Sequence, residues 1–474
     1  MRGHSLWRPV GIAALMFATH PAQALDPFYL NVDLNADTSF EYRAGFGTLD
    51  DAIDQLDFRN LSQRTSYTGD EVVDTAFYLR GLDVILAFPN SGDSGPQVGG
   101  QLIFKVPDGS GGFLLFQQFD PVERAYNSTH EARADTIAQL KEYLKTNGLA
   151  LRIILSRLAR LSPVDPLAGN PDSLFSRRQR GDFDHGFTNK VSQIWGCGTS
   201  AFNFTNDAPI QVATVGGVSD IFADAQARAA ALQAQNEIGV GFLASSTTAK
   251  VAATNSQPGG DLATMAITVP LSYTVKLDSD PRKKIRFDLP LTYTDTEGAV
   301  GYSAGAGLAY THPLSDEWSL TPAVGVGATG SEDLGAAGGV GAYSLTSAYT
   351  WRFDSFALSM GNSVGRYEAL GLKIGDIEAE ADISNTVFTN GFLLTGPNSL
   401  IAKNLVIEYS FVDTRITGDD VYSDGYDEIG VALGYIDTEM GVIDSYTKIG
   451  LSYLVGDGAA GDISSLRLNL SARF

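Results

Sequence analysis

Three histidines outside the first 24 residues, His130, His185 and His312, are the side chains best suited to act as general bases or metal ligands. A metal site needs several such ligands around one ion. His130 lies at the start of a predicted helix, His185 in a predicted loop and His312 in a predicted turn between strands. Because these elements are separate, the sequence predicts no metal site and no cofactor.

Ser94 lies in Gly92-Asp93-Ser94-Gly95-Pro96, a segment that resembles the nucleophile loop of chymotrypsin-like proteases. That chemistry needs a histidine to accept the serine proton, and in those proteases the histidine lies upstream. No histidine of the exported chain precedes His130, and the second glycine of the family motif is missing. A loop is the better interpretation.

Two further segments carry weak chemical signals. Gly325 to Gly330 satisfies the pattern GxGxxG, but it runs from a strand into an acidic turn, so no helix N-terminus is available to hold a phosphate. Cys197 is the only cysteine, which excludes an intrachain disulfide. We interpret it as a small, partly buried side chain.

The first 24 residues have the pattern of a cleaved signal peptide. Arg2 and Arg8 precede a short apolar stretch from Val10 to Ala18, and Ala22-Gln23-Ala24 is a small-x-small cleavage site. No other run approaches the roughly 18 apolar residues that a membrane helix needs. The sequence predicts an exported protein, beginning at Leu25, without a helical anchor.

Charge limits the partners. The chain has a net charge of −22, which becomes −24 when Arg2 and Arg8 are removed with the signal peptide. Such an acidic chain is not expected to bind nucleic acid. It permits binding of divalent cations or a purely solubilising role.

The second half of the chain alternates apolar and polar residues with a period of two, which predicts strands with one apolar face. In one example, Ile285, Phe287 and Leu289 alternate with Arg286 and Asp288. Twelve such segments are predicted: 238–244, 267–277, 285–293, 301–310, 318–328, 338–353, 356–364, 383–394, 405–411, 429–435, 449–455 and 466–474.

The last predicted strand carries a family resemblance. Leu466, Leu468 and Leu470 alternate with polar residues up to the terminal Phe474. This strand resembles the final strand of bacterial outer-membrane β-barrels, where it serves as the assembly signal. The resemblance implies that these four residues are recognised by the barrel-assembly machinery of a Gram-negative cell.

Connection lengths also favour a barrel of this kind. The turns 311–316, 395–399 and 437–440 are short, whereas 365–382 and 413–428 are long and acidic. Outer-membrane barrels combine short periplasmic turns with long outer loops. The sequence therefore predicts a mainly β protein, with a twelve-stranded antiparallel transmembrane barrel over residues 237–474. We assign Asp419, Asp420, Asp424, Asp427 and Glu428 to outer loops, where they would be solvated, or would bind divalent cations that bridge lipopolysaccharide.

Charged side chains on the polar strand faces are predicted to line the lumen. The set comprises Lys276, Arg286, Arg352, Lys448, Arg467 and Arg473 against Asp288 and Glu408. A net-basic lumen would favour an internal acidic plug, or the passage of anions through an open pore. Ordinary ion pairing between strands is the remaining alternative.

Residues 218–236 contain a helix of small residues, Asp220 to Gln235, which would be roughly 24 Å long at about 1.5 Å per residue. That length matches the membrane band of a barrel, so the helix is predicted to lie in the lumen. The helix, the twelve strands and their C-terminal position resemble the translocator domain of autotransporters. The resemblance implies an anchor for a preceding domain, although residues 25–217 show no long repetitive passenger.

Residues 25–217 are predicted to form a small α+β domain. Ser128 and Glu131 have capping-box spacing at the start of one helix, and a second helix spans Leu149 to Leu161. Three prolines make residues 162–171 a loop. A basic cluster could contact lipopolysaccharide phosphates or the acidic remainder of the chain, or could be a solvated helix face: Arg152, Arg157, Arg160, Arg177, Arg178 and Arg180.

These patterns predict a monomeric outer-membrane barrel that anchors and positions a small N-terminal domain at the cell envelope. A channel for small, anionic solutes is the alternative, and a barrel hydrolase is less favoured, so we expect no enzyme activity. The sequence leaves open whether residues 25–217 lie outside the cell, in the periplasm or in the lumen, and whether the barrel is open.

Overall fold

The computed structural model of the chain describes residues 25–35, 37–55, 58–65, 67–122, 126–187, 236–253, 258–353, 356–374, 377–379, 381–397, 405–437, 445–459 and 461–473. It is mainly β, with a closed barrel and a smaller N-terminal domain of sheet and helices. This confirms the predicted fold class.

Twelve antiparallel strands close into the barrel, and each predicted strand is present. The last strand pairs with the first, with Leu468 opposite Ala244, so the barrel has no open edge. The strands are β7 (Glu237–Val251), β8 (Gly260–Leu277), β9 (Asp280–Thr296), β10 (Ala299–Pro313), β11 (Trp318–Ser331), β12 (Ala336–Arg352), β13 (Ala357–Leu370), β16 (Ser384–Pro397), β17 (Leu405–Gly418), β18 (Gly425–Asp437), β19 (Ser445–Gly458) and β20 (Gly461–Arg473).

The outer surface of the barrel is apolar. Phe287, Leu289 and Leu291 alternate along β9 and are 49%, 46% and 45% exposed, whereas the Asp288 side chain between them is only 8% exposed. Every barrel strand presents large apolar side chains outward in this way or pairs with one that does. An exposed apolar band of this extent needs lipid around it, so the barrel is a membrane barrel.

The two ends of the barrel differ. Strand β7 begins, and β20 ends, at one end, which we call the termini end; the opposite end is the mouth. The expected alternation of loop lengths is wrong for the connections that the structure describes. The mouth has a two-residue turn at Glu297-Gly298, with positive φ at both residues, and the predicted loop 413–428 is mostly strand, because β17 and β18 extend to Gly418 and from Gly425.

The N-terminal domain is built on a six-stranded antiparallel sheet of order β2-β1-β3-β4-β5-β6. Its strands are β1 (Phe28–Leu34), β2 (Asp37–Phe46), β3 (Val73–Leu79), β4 (Leu82–Phe88), β5 (Leu102–Pro107) and β6 (Phe113–Phe119). Its helices are α1 (Leu49–Asp54), α2 (Phe58–Arg64), α3 (Pro96–Gly99), α4 (Thr129–Thr146) and α5 (Gly148–Leu161). A short hairpin, β14 (Leu372–Ile374) and β15 (Ile377–Ala379), rises from the barrel mouth.

Capping fixes the two long helices where the sequence predicts them. The Ser128 hydroxyl accepts a hydrogen bond from the Glu131 N–H, and the Asn147 side chain accepts one from the Ala150 N–H. No helix within the described part of the chain is both long and apolar enough to cross a bilayer.

The N-terminal domain is seated on the mouth of the barrel. Its buried core, which includes Phe28 and Leu30, continues without interruption into Ala299, Leu334 and Ala336 of the barrel strands and turns. Backbone hydrogen bonds add to this contact, since the Leu49 N–H donates to Asp333 O at 2.8 Å and the Leu25 N–H donates to Asp261 O at 2.9 Å.

Candidate functional site

The chain passes from the N-terminal domain into the barrel through residues 162–173, which we call the entry loop. Its three prolines end helix α5, as the sequence predicts. Gly169 has a φ of +91°, and a Cβ there would lie 2.5 Å from Ala159 O. The entry loop leads into a helix, α6 (Leu174–Phe187), which lies in the lumen against strands β10 to β13.

Glycines on the barrel wall make room for α6. A Cβ at Gly361 would lie 2.5 Å from the Phe187 ring, and one at Gly391 would lie 2.8 Å from the Phe183 ring. A Cβ at Gly325 would likewise lie 2.9 Å from Arg178 Nε. The abundance of glycine in these strands therefore has a local cause, because side chains of the helix occupy the space where wall side chains are missing.

A first buried ion-pair group joins α6 to strand β9. Arg178 pairs with Asp182, one turn along the helix, and its Nη1 lies 2.8 Å from Asp288 Oδ2. The Tyr367 hydroxyl donates to Asp182 at 3.1 Å, and His185 Nε2 lies 3.6 Å from Asp288. His185 is thus a buried helix residue, and its predicted position in a loop is wrong.

A second ion-pair group, centred on the buried Glu428, joins α6 to the opposite wall. Arg180 donates two hydrogen bonds to the Glu428 carboxylate of β18, at 2.5 and 2.6 Å. Arg467 of β20 donates to the same carboxylate at 3.1 Å and to Pro171 O at 3.0 Å. Asp172 of the entry loop accepts hydrogen bonds from Ser245 and Thr247 of β7. The helix is therefore tied to both walls of the barrel.

Several predicted lumen charges pair with side chains on nearby strands. Lys276 Nζ lies 2.6 Å from Glu237, and Lys448 Nζ lies 2.7 Å from Glu408. Arg286 lines a cavity inside the barrel. At the termini end, Arg352 donates to the backbone oxygen of Asp316 at 2.8 Å. Arg473 is described as part of β20, but its side chain lies outside the described atoms.

The helix that the structure places in the lumen is basic, whereas the sequence favours an acidic plug. This helix is α6, which carries three arginines, Arg177, Arg178 and Arg180, and two aspartates. Glu428, which the sequence pattern assigns to an outer loop, is buried in the lumen between Arg180 and Arg467. The predicted lumen helix Asp220 to Gln235 lies outside the described residues.

Acidic residues at the mouth have protein partners. The Asp419 carboxylate accepts a hydrogen bond from the Ser384 N–H at 2.7 Å, and Asp420 lies 3.0 Å from Arg160. Across the described ranges, no group of three or more histidine, cysteine, aspartate or glutamate side chains is arranged to hold a metal ion.

The predicted assembly residues lie where the barrel closes. Leu466, Leu468 and Leu470 are on β20, and Leu468 is paired with Leu451 on one side and with Ala244 on the other. Phe474 lies outside the described residues.

A loop of the barrel closes over the entry loop. Tyr422, between β17 and β18, is 1% exposed, and its N–H donates to Ala159 O at 3.0 Å. The next residue, Ser423, donates its N–H to Gly169 O at 2.9 Å. These contacts hold the end of α5 and the entry loop against the rim of the barrel.

A second contact at the mouth joins two buried charges. Arg80, in the β3–β4 turn, lies 3.6 Å from Asp165 of the entry loop, and their side chains are 0% and 4% exposed. Burial raises the pKa of Asp165, although Arg80 and the N–H groups of Ala168 and Leu167 oppose this shift. Burial likewise lowers the pKa of Arg80, against the attraction of Asp165. Each charge depends on the other, because neither reaches water.

Beside α6 the lumen retains a cavity of about 310 Å³. Strands β7 to β10 and β17 to β20 form its outer wall, and α6 forms its inner wall. Arg177, Arg286 and Lys448 line it together with Pro270 and Pro290. The arrangement can hold a helix by charge and shape, and it leaves room for a small molecule.

Comparison with known proteins finds similarity to solved barrel structures. No protein-family model and no curated protein matches the chain. The β domain of the Bordetella autotransporter BrkA is 14% identical, covering 50% of this chain and 98% of that one, with a TM-score of 0.34. The translocator domain of the autotransporter NalP from Neisseria meningitidis is 14% identical, covering 53% and 96%, also with a TM-score of 0.34. An outer-membrane channel from Pseudomonas putida F1 is 12% identical, covering 50% and 94%, with the same score.

Proposed function

We propose that this chain is an autotransporter-type outer-membrane barrel that anchors its own N-terminal domain at the cell surface, with helix α6 holding the lumen closed. Translocator domains and channels are both similar to the barrel at low identity, so the proposal rests on the lumen and the mouth of this chain.

The observation that carries the proposal is the path of the chain. It leaves a domain seated on the mouth, enters the lumen through the entry loop, and continues as α6, whose arginines are paired with Asp288 and Glu428 on opposite walls. The barrel itself starts and ends at the other end. Breaking a buried ion pair of this kind typically costs about 3–5 kcal/mol, so the domain is held by more than a linker.

Epitope insertion tests on which side of the outer membrane the N-terminal domain lies. One tag is inserted in the exposed β5–β6 turn, between Gly109 and Gly111, and a matched tag in the β10–β11 turn at residues 314–317 of the termini end. Antibody should label the first tag on intact cells and the second only after lysis.

The reverse labelling pattern would place the domain in the periplasm and would contradict the proposal. Extraction of the mature chain into water without detergent would contradict the membrane location itself. The apolar bands of β9 and its neighbours predict that only detergent releases it.

A channel for small solutes is the second candidate, favoured by the cavity beside α6. We propose that it would conduct only when α6 leaves the wall. Planar-bilayer recordings of the wild-type chain and of Arg178→Gln/Arg180→Gln test this, because the double variant removes both anchoring pairs. If neither protein conducts current, the channel proposal is rejected.

We further propose that the barrel works as a monomer and that its partners are membrane lipid, lipopolysaccharide and the barrel-assembly machinery, with the leucines of β20 as the signal. We also propose that the acidic mouth binds divalent cations and that the chain has no catalytic role. The apolar outer band supports the lipid partner. The non-catalytic role is supported by His185, which contacts Asp288, and by His312, which contacts Tyr310, because both histidines serve structural contacts.

A further inference from the structure

One row of polar side chains crosses the lipid-facing surface of the barrel. Direct cross-strand pairing joins its members on neighbouring strands from β12 to β18: Ser347, Asn362, Asn390, Asp413 and Asp427. They point outward, because side chains alternate along a strand and these share a face with exposed apolar residues such as Phe388 and Phe392 of β16. We call this set the polar row.

The polar row lies inside the apolar band. Toward the termini end, the next outward residues on β13 to β18 are all apolar: Met360, Phe392, Phe411 and Ile429. Toward the mouth, Leu345, Val364 and Phe388 precede Arg415 of β17. Polar groups that face lipid have no water to bind, so a row of this kind marks a site for a partner inside the membrane.

Hydrogen bonds connect the middle of the polar row without using all of its donors. Asn362 Nδ2 donates to Asn390 Oδ1 at 2.7 Å, and Asn390 Nδ2 donates to Asp413 Oδ2 at 3.3 Å. These contacts, among the described atoms, use one N–H of each amide, and a side-chain amide has two. Each asparagine can therefore donate to a further acceptor, such as an ester carbonyl.

The mouth end of the polar row is charged. Arg415 lies between two carboxylates, 2.6 Å from Asp413 and 3.1 Å from Asp427, so this group has a net charge of −1. Arg366 and Glu368, which face outward closer to the mouth on β13, pair with each other at 3.3 Å and add no net charge. The group therefore favours a ligand that brings an ammonium as well as a phosphate.

A second copy of the chain does not fit the polar row. The row runs across the strands, and barrel strands are tilted by about 35–45°, so the row climbs obliquely from β12 toward the mouth on β18. Two copies that insert in the same direction would be related by a two-fold axis along the membrane normal. Their facing rows would cross at one point and leave the charged ends uncovered. A lipid can lie along the row instead.

We propose that the polar row binds an aminophospholipid, which carries an ammonium, a phosphate and ester carbonyls in that order. Asp427 binds the ammonium, Arg415 binds the phosphate, and the amides of Asn390 and Asn362 donate to the ester carbonyls. The order of these groups along the lipid is the order of their partners from the mouth inward. The acyl chains pack on the apolar side chains beside the row, such as Phe411. The proposal rests on the membrane barrel and names one of its lipid partners.

Native mass spectrometry of the full mature chain, folded in detergent, tests the proposal with equimolar palmitoyl-oleoyl-phosphatidylethanolamine and the matching phosphatidylglycerol. The wild-type chain should retain the ethanolamine lipid roughly tenfold more than the glycerol lipid, which has the phosphate but no ammonium. Asp427→Asn removes the ammonium acceptor and should bring this ratio close to one. Asp316→Asn is the matched control, because it removes the same charge from an exposed pair with Arg282 at the termini end, and should keep the ratio.

Asn362→Leu/Asn390→Leu tests the two amides. Leucine removes the N–H groups and extends the apolar band, so the variant should fold and should retain the ethanolamine lipid roughly fivefold less than the wild type. Ser246→Leu/Thr248→Leu on β7 is the matched control and should retain the lipid as the wild type does. Both side chains face lipid, since Thr247 between them faces the lumen.

Three results would overturn the assignment: equal retention of the two lipids by the wild-type chain, an unchanged ratio in Asp427→Asn, or unchanged retention in Asn362→Leu/Asn390→Leu. Stronger retention of lipopolysaccharide than of the ethanolamine lipid would also overturn it. If Asp427→Asn does not fold, the leucine variant decides. None of these results changes the labelling of the two epitope tags, so the anchoring proposal is tested separately.

Discussion

Arg180 of the lumen helix and Glu428 of strand β18 are joined by two hydrogen bonds, at 2.5 and 2.6 Å, inside the barrel. Glu428 also accepts from Arg467 of β20, so one carboxylate serves two guanidiniums. This contact joins the helix to the part of the wall where the barrel closes. Its loss should therefore destabilise both the position of the helix and the closed wall.

Glu428→Gln should destabilise the folded barrel by about 3–5 kcal/mol, because it leaves the buried Arg467 and the partly buried Arg180 without their shared counter-charge. The urea concentration at which the heat-modifiable band disappears on gels measures this loss. Glu317→Gln is the control, since its contact with Arg352 is long, at 3.9 Å, and exposed, and should be worth less than about 1 kcal/mol. Equal midpoints for the two variants would contradict the importance of the lumen pair.

Gly361→Ala tests the close approach of α6 to the wall. The new Cβ would lie 2.5 Å from the Phe187 ring, and overpacking of this kind typically costs about 1–3 kcal/mol. Gly330→Ala is a matched control on β11, because its Cβ would meet nothing closer than 4.0 Å. Thermal unfolding of both variants in detergent gives the comparison; the account fails if Gly361→Ala is as stable as the control.

Arg80→Met should make the docking of the N-terminal domain dependent on pH. Burial raises the pKa of Asp165, and removing Arg80 takes away a group that opposes this shift. A carboxyl with a raised pKa in the folded state contributes stability that is full below its ordinary pKa of 3.8 and is lost as pH rises through the folded value. Resistance of the domain to protease should therefore fall as pH rises.

Arg80→Met/Asp165→Asn supplies the control for that prediction, since it has no carboxyl at this position. Its protease resistance should lack the additional dependence on pH that Arg80→Met shows. The same pH profile in both variants would show that Asp165 is not the titrating group.

The barrel could be predicted from the sequence because its strands are one-sided. Lipid on one face and a polar lumen on the other impose a period of two, so Ile285 to Tyr293 is recognisable without knowledge of its neighbours. The loop assignment failed where acidic residues are buried. Glu428 looks like part of a solvated loop, and only the arginines that come from 248 and 39 residues away explain its position.

Helix α6 could not be predicted as the lumen helix. A wall surrounds it, so Phe175, Arg178, Gln179, Asp182 and Phe183 are all buried and no single apolar face marks the helix. The inner face of the wall is polar, so the partners of α6 are charged side chains and glycines on strands that are distant in the sequence. The only local signals are the spacing of Arg178 with Asp182 and of Phe183 with Phe187, which permits a helix but does not place it.

The position of α6 inside the barrel is the claim on which the account depends. A Cβ at Gly186 would lie 2.6 Å from Thr346 Cβ of β12, so Gly186→Cys with Thr346→Cys, in a Cys197→Ser background, should form a disulfide after a small shift toward the usual Cβ separation of about 3.8 Å. Gly186→Cys with Thr414→Cys on β17 is the control pair.

The measurement is the gel mobility of the unfolded chain after mild oxidation in membranes, with and without reductant. The account predicts a reductant-sensitive shift for the Gly186–Thr346 pair and none for the control. No shift in either pair, in chains shown to be folded by heat modifiability, would contradict the presence of α6 in the lumen.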